Sequence, residues 1–248
     1  GSDKGAPRFN YIQLFESGDN VTFGKNQNVS YGPLYTEGSL AYHDATWETA
    51  VKQNLGIEMT LFRKLTASID LFKEDRTGIL MSRNSSAPWM GAGLPSVNIG
   101  KTKNHGLELE LGWNDKVGKD FSYFAKFNFS TSENRVVFKD DPNRLDDYLK
   151  AAGKPIGYQN KYLVSGNFGS IDDIFNYTQS GITNGSQNKL IPGDLIYLDY
   201  NGDGVINEKD MAPVANLNYP LTTYGLTLGV SYKGFGINAL FYAATGVY

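Results

Sequence analysis

Apolar and polar residues alternate in six runs of this chain, and the connections between those runs alternate as well. Leu55, Ile57, Met59 and Leu61 are interleaved with Gly56, Glu58 and Thr60. Leu65, Ala67, Ile69 and Leu71 follow, then Leu107 to Trp113, Phe121 to Phe129, Leu226 to Tyr232 and Phe235 to Phe241. A period of two places one set of side chains on each face of a β-strand. The joins run short, long, short, long, short: near 63–64, 115–119 and 233–234 they are turns, while 75–103 and 132–220 are long, polar and irregular. A soluble sandwich has no reason to gather every short turn at one end. A membrane β-barrel does, with tight turns at one rim and long loops at the other. The polar faces carry Asp70, Glu108, Glu110 and Lys126, which suit a water-filled lumen. The apolar faces end in Trp113, Tyr123 or Tyr232, as an interfacial aromatic girdle does. The expected fold is all-β, with antiparallel strands of a transmembrane β-barrel and long loops outside.

The remaining stretches have weaker patterns. Phe9 to Phe15 and Val21 to Phe23 read as strands around a turn at Ser17-Gly18-Asp19-Asn20, with loop at Gly32-Pro33 and Glu37-Gly38. Pro142 suits a helix start, which places a short helix over Asn143 to Ala151. Leu195 to Leu198 reads as a strand.

One stretch points to specific chemistry. Asp199-Tyr-Asn201-Gly-Asp203-Gly-Val205-Ile-Asn207-Glu-Lys-Asp210 puts oxygen-bearing side chains at loop positions one, three, five, nine and twelve, with Gly204 at six. That is the spacing of an EF-hand-type calcium loop. Calcium takes six to eight oxygens. Asp199, Asn201 and Asp203 offer side-chain oxygens and Val205 its carbonyl; Asn207 acts directly or through water, and Asp210 closes the site. Position twelve is Asp rather than the usual Glu, and the entering segment is a strand rather than a helix. The expected role is therefore a calcium staple of a loop, not signalling or catalysis. The plain alternative is a surface turn rich in Asp, Asn and Gly.

Composition removes other classes. A net charge of −3 leaves no nucleic-acid footprint. The absence of cysteine excludes disulfide scaffolds and thiol chemistry. Two histidines, His43 and His105, are too few for a histidine metal site. No apolar run reaches the length of a membrane helix, no signal peptide is read at the start, and Gly1-Ser2 has the look of an engineered beginning. The 16 tyrosines, 14 phenylalanines and 28 glycines fit strands and turns.

Sharper motifs fail. Gly100-Lys101-Thr102 imitates the end of a phosphate-binding loop, but Pro95 stands where that motif needs glycine. Glu108 and Glu110 are roughly 6.6–6.8 Å apart along one strand face, yet nothing would keep one of them protonated as a glycosidase acid. Trp89 could stack on a sugar as readily as on its loop neighbours. No catalytic constellation is present, and the chain reads as not an enzyme.

Several stretches together resemble the C-terminal half of the barrel in SusC-like (RagA-type) TonB-dependent outer-membrane transporters. They are Trp47-Glu48 with Gln53-Asn54-Leu-Gly56; Asp70-Leu-Phe72-Lys-Glu-Asp-Arg-Thr77; Val97-Asn98-Ile-Gly100-Lys101 with Asn104-His-Gly106-Leu-Glu108; Pro192-Gly193-Asp194; Tyr219-Pro220-Leu-Thr-Thr-Tyr224-Gly225-Leu226; and Tyr232-Lys233-Gly234-Phe235. Order and spacing match over about residues 40–245. The resemblance implies a fragment of a 22-stranded barrel in the cell outer membrane, lying in lipid. It implies a plug and TonB contacts outside this chain, a SusD-like surface lipoprotein as partner, and oligosaccharide or peptide as substrate. Residues 1–248 are expected to form part of one barrel domain, without plug or terminal strand. The rival reading is a secreted or cell-surface β-sandwich carbohydrate-binding protein with a dockerin-like calcium loop; a dockerin would carry two such loops, and one is present.

Overall fold

The computed structural model describes residues 9–25, 29–84, 93–142, 145–177, 190–217 and 219–246. Pro88, Trp89, Gly91 and Asn143 lie outside them.

The six alternating runs form one antiparallel sheet. Its strands are β3 (Thr49–Leu61), β4 (Leu65–Met81), β5 (Val97–Val117), β6 (Phe121–Phe138), β11 (Thr222–Tyr232) and β12 (Phe235–Thr245), hydrogen-bonded in the order β12-β11-β6-β5-β4-β3. Every neighbour in space is the neighbour in the strand sequence of this sheet, so it is an up-and-down meander. The register keeps the apolar face continuous. Across one level, Met59, Ala67, Leu111, Phe127, Leu226 and Phe241 are successive partners. The level beside it, on the other face, runs Glu58, Ser68, Glu110, Asn128, Gly225 and Tyr242. A slip of one residue anywhere would exchange the faces.

The apolar face is uncovered. Leu55, Ile57, Ile237 and Phe241 are all exposed, and among the described residues no second sheet packs on it. A sandwich would bury this face, so the sandwich architecture is excluded. Among the described residues, no helix is long and apolar enough to cross a membrane.

The polar face is the concave one. Gly56, Gly106, Gly112, Gly225 and Gly229 all fall on it. At Gly106 an added β-carbon would strike the Phe72 ring and come within 2.5 Å of the Thr131 carbonyl oxygen. Side chains converge on the inside of a curved sheet, and glycines opposite large residues relieve the crowding.

The turns lie where the alternation breaks. Phe62 and Arg63 have φ of 55° and 56°, and Lys233 and Gly234 have 48° and 86°. Lys233 and Gly234 are the two residues between the paired Tyr232 and Phe235, and positive φ at both matches the twist of a two-residue hairpin; Phe62 and Arg63 open a three-residue connection between the paired Leu61 and Leu65. The third short turn sits at 118–120 because β5 continues to Val117.

The strands reach further than alternation suggests. β4 continues to Met81 and β5 begins at Val97, so only 82–96 of the expected irregular segment 75–103 lies between strands. β6 likewise runs to Phe138. Just above the apolar band β4 is polar on both faces, from Lys73 to Arg76, and ion pairs add to its cross-strand pairing. Arg76 lies 2.7 Å from both Glu48 and Glu74.

The N-terminal expectation is corrected. β1 (Phe15–Phe23) runs through Ser17 to Asn20, which form an irregularity within the strand, and pairs with β2 (Val29–Glu37). β2 also passes through Gly32-Pro33. Pro33 faces Asn20 at that irregularity, where a missing N–H is tolerated.

The long connection 139–221 has its own small core. β7 (Gln159–Tyr162) pairs with β10 (Met211–Asn216), and β8 (Val164–Asn167) with β9 (Leu195–Tyr197). Phe168, Ile206, Ala212 and Leu217 are buried there. Residues 145–151 are turns rather than the expected helix. The side chain of Asp141 takes the N–H groups of Ala151 and Ala152 and so closes this stretch on itself. Among the described residues the α-helix of this connection is α1 (Ile171–Asn176), started by a capping box of Ser170 and Asp173.

Candidate calcium loop and lumen wall

β9 delivers the chain into 199–210, and a short 3-10 turn over Glu208–Asp210 leads it out into β10. Two glycines in left-handed backbone, Gly202 at 73° and Gly204 at 83°, let the loop double back. The oxygens predicted to hold an ion are arranged by the loop's own amides. Asp199 accepts from Gly202 N–H through Oδ1 and from Gly204 N–H through Oδ2, both at 2.8 Å. Asn201 Oδ1 accepts from Asp203 N–H, and Asp203 Oδ1 from Val205 N–H, each at 2.9 Å. Asp203 Oδ2 accepts from the Asn201 side-chain amide. That bond, and then the Val205 N–H, hold the Asp203 carboxyl below the usual carboxylate range.

Asp210 plays another part. It is fully buried. Its Oδ1 accepts from Tyr200 N–H at 2.9 Å and Asn201 N–H at 3.4 Å, and its Oδ2 from Asn207 N–H at 2.8 Å. One carboxylate thus ties the entrance of the loop to its exit. Ile206, also fully buried, anchors the middle. Asn207 accepts from Lys209 N–H and donates to the Val205 carbonyl.

The donor set fits a hard cation in part. Each oxygen of Asp199, and the side-chain oxygen of Asn201, spends one lone pair on the loop and keeps another. Asp210 spends both oxygens internally, and Val205 has Asn207 in front of its carbonyl. Among the described residues no group of three or more Asp, Glu, His or Cys side chains is placed to hold a metal by acids alone. A cation here would draw on Asp199, Asp203, the Asn201 oxygen and, once Asn207 turns away, Val205.

The loop is joined to its surroundings by tyrosines. The Tyr148 hydroxyl donates to the Lys209 carbonyl, and its ring meets Tyr200 edge-on at 5.0 Å. The Tyr177 hydroxyl donates to the Tyr197 carbonyl. These tyrosines were not among the expected site residues. Their only sequence signal is an excess of tyrosine around the loop.

The second candidate surface is the concave wall. A hollow of about 870 Å³ opens over Glu58, Ser68, Glu110, Lys126 and Asn128. Asp70 and Glu108 are direct partners at the level above. At the hollow and the level above it, four acids stand with one lysine, Lys126.

Comparison with known proteins agrees with this geometry. Residues 2–240 match the family model described as TonB dependent receptor-like, beta-barrel. TonB-dependent receptor P3 of Formosa agariphila is 26% identical over 211 residues, covering 81% of this chain and 20% of that protein. TonB-dependent receptor SusC of Bacteroides thetaiotaomicron is 23% identical over 236 residues, covering 92% and 22%. The chain therefore spans about a fifth of these curated relatives. The RagAB peptide importer in its open-open state shares the fold with a TM-score of 0.63 at 17% identity, over 97% of this chain and 24% of that one. Its two-faced meander and its family match lead to one conclusion: the chain belongs to the TonB-dependent receptor-like β-barrel family of the outer membrane and forms part of the barrel wall with its long loops.

Proposed function

We propose that the whole protein imports nutrient across the outer membrane, as a TonB-dependent transporter of oligosaccharides or peptides working with a SusD-like surface lipoprotein. The observation that carries this reading is the segregation of the sheet: an unbroken apolar face for lipid, and a concave polar face with an acid-rich hollow for solute. A wall with this sign of charge favours neutral or cationic solutes over polyanions. Neutral glycans and uncharged or basic peptides fit that preference. Loop 199–210 belongs to the long-loop rim, because β11 descends from it to the short turn at Lys233-Gly234. On this reading calcium holds that loop in one shape where solute and lipoprotein arrive, and does no chemistry.

The test is uptake by the intact organism. Deleting the gene should abolish TonB-dependent accumulation of at least one labelled neutral oligosaccharide or basic peptide. The lipoprotein should co-purify with the receptor in detergent. Unchanged uptake of every member of both panels would refute the assignment.

A further inference from the structure

The rim formed by the short turns is charged and strained beyond what closing hairpins requires. The chain carries a net charge of −3, yet at this rim Arg63, Lys64, Lys116, Lys119 and Lys233 stand with only Asp115 and Asp120. Lys64 is paired with Asp115 at 2.8 Å. Lys116 shares a level with Ser122 on the lumen face. Arg63 and Lys119 are exposed and make no ion pair among the described residues. Lys233 lies 5.4 Å above the Tyr232 ring, on the outer face.

Backbone conformation singles out the same residues. Among the described residues Phe62, Arg63 and Lys233 are the non-glycine positions with positive φ. Turn positions with positive φ favour Asn or Gly, because an L side chain resists the left-handed region. Phe62 and Arg63 occupy it consecutively, so their side chains are present against the preference of the backbone. Such a position points to use of the side chain. Phe62 is 81% exposed and Phe235 84%, two rings at the level where aromatic residues meet a membrane interface.

We infer that the short-turn rim binds the anionic headgroups of phospholipids in the adjoining leaflet. Arg63, Lys119 and Lys233 take the phosphates, and Phe62 and Phe235 sit against glycerol and the first acyl carbons. Charge complementarity identifies the occupant, together with continuity: the apolar band ends at this rim in Trp113, Tyr123 and Tyr232. The inference rests on the barrel's place in the membrane and is independent of what the protein transports.

Removing the three cations removes the groups that distinguish an anionic from a zwitterionic headgroup, so the preference between the two should vanish. The experiment titrates the full-length receptor in neutral detergent with phosphatidylglycerol and with phosphatidylcholine, read by native mass spectrometry. The variant combines Arg63→Gly, Lys119→Gln and Lys233→Asn, residues that the turns accept. Wild type should retain phosphatidylglycerol preferentially. The variant should lose that preference while its thermal midpoint in detergent stays equal or rises, since Gly and Asn relieve the left-handed positions. Equal retention of both lipids by wild type would overturn the inference, as would a variant that keeps the preference. Displacement of phosphatidylglycerol by an equal concentration of inorganic phosphate would reduce the rim to an anion site. Binding of an acidic polypeptide in place of lipid would assign it to a protein partner.

Discussion

Replacing Asp210 by Asn removes one acceptor from the most enclosed carboxylate among the described residues. Asp210 serves three backbone N–H groups with two oxygens, Tyr200 and Asn201 on one side and Asn207 on the other. An amide offers a single oxygen, so one side of the loop loses its partner and meets an NH₂ donor instead. The residue is fully buried, and water cannot take over. A hydrogen bond to a charged group contributes about 1.5–3 kcal/mol, and an orphaned buried donor costs a similar amount. Local opening of the loop should therefore become easier by roughly tenfold to a hundredfold. Hydrogen exchange of the full-length receptor in detergent, with chelator present, reads this directly at the amides of Tyr200, Asn201 and Asn207. Glu208→Gln is the control, because it removes the same charge from an exposed side chain in the same turn. Exchange in Asp210→Asn no faster than in Glu208→Gln would refute the role given to Asp210 as the tie between the loop's two ends.

Two further outcomes follow from the same geometry. Asp199→Ala with Asp203→Ala should abolish calcium-dependent protection of 190–220 from protease; in wild type, calcium at about a hundred times its dissociation constant should add about 2.7 kcal/mol to loop stability, and cleavage unaffected by calcium in wild type would remove the staple. Gly106→Ala should destabilise the barrel by about 1–3 kcal/mol, seen as a lower thermal unfolding midpoint in detergent. Adding Phe72→Ala should restore only part, because the Thr131 carbonyl cannot rotate away; full restoration would show that backbone crowding is not the constraint.

The barrel wall was legible because lipid and lumen impose opposite demands on alternate residues, and Leu107 to Trp113 obeys them without exception. Legibility ended where the strands leave the apolar band. Lys73, Glu74, Asp75 and Arg76 are polar in both phases, so no period marks them, yet they continue β4 through cross-strand pairing. In β1 the residues Ser17 to Asn20 carry turn chemistry that the strand absorbs as an irregularity. β1 continues past them to Phe23, which pairs with Val29. A capping box at Ser170 and Asp173 was available as a signal for α1, but six residues give no period. At the loop, spacing alone marked Asp199 to Asp210. That Asp210 turns inward depends on three amides brought together by the fold, and no spacing encodes it.

The excess length of β5 sets a height. Its 21 residues exceed the 9–11 that span a membrane, and Val97 to His105 precede the apolar run that begins at Leu107. At about 3.4 Å per residue and a tilt of about 40°, those nine residues rise roughly 23 Å. β4 and β6 rise beside them, hydrogen-bonded throughout much of that distance. The long loops that start from this parapet therefore stand off from the bilayer by about the thickness of a small domain. Their anchoring ends are therefore set by hydrogen-bonded strand and not by contact with lipid.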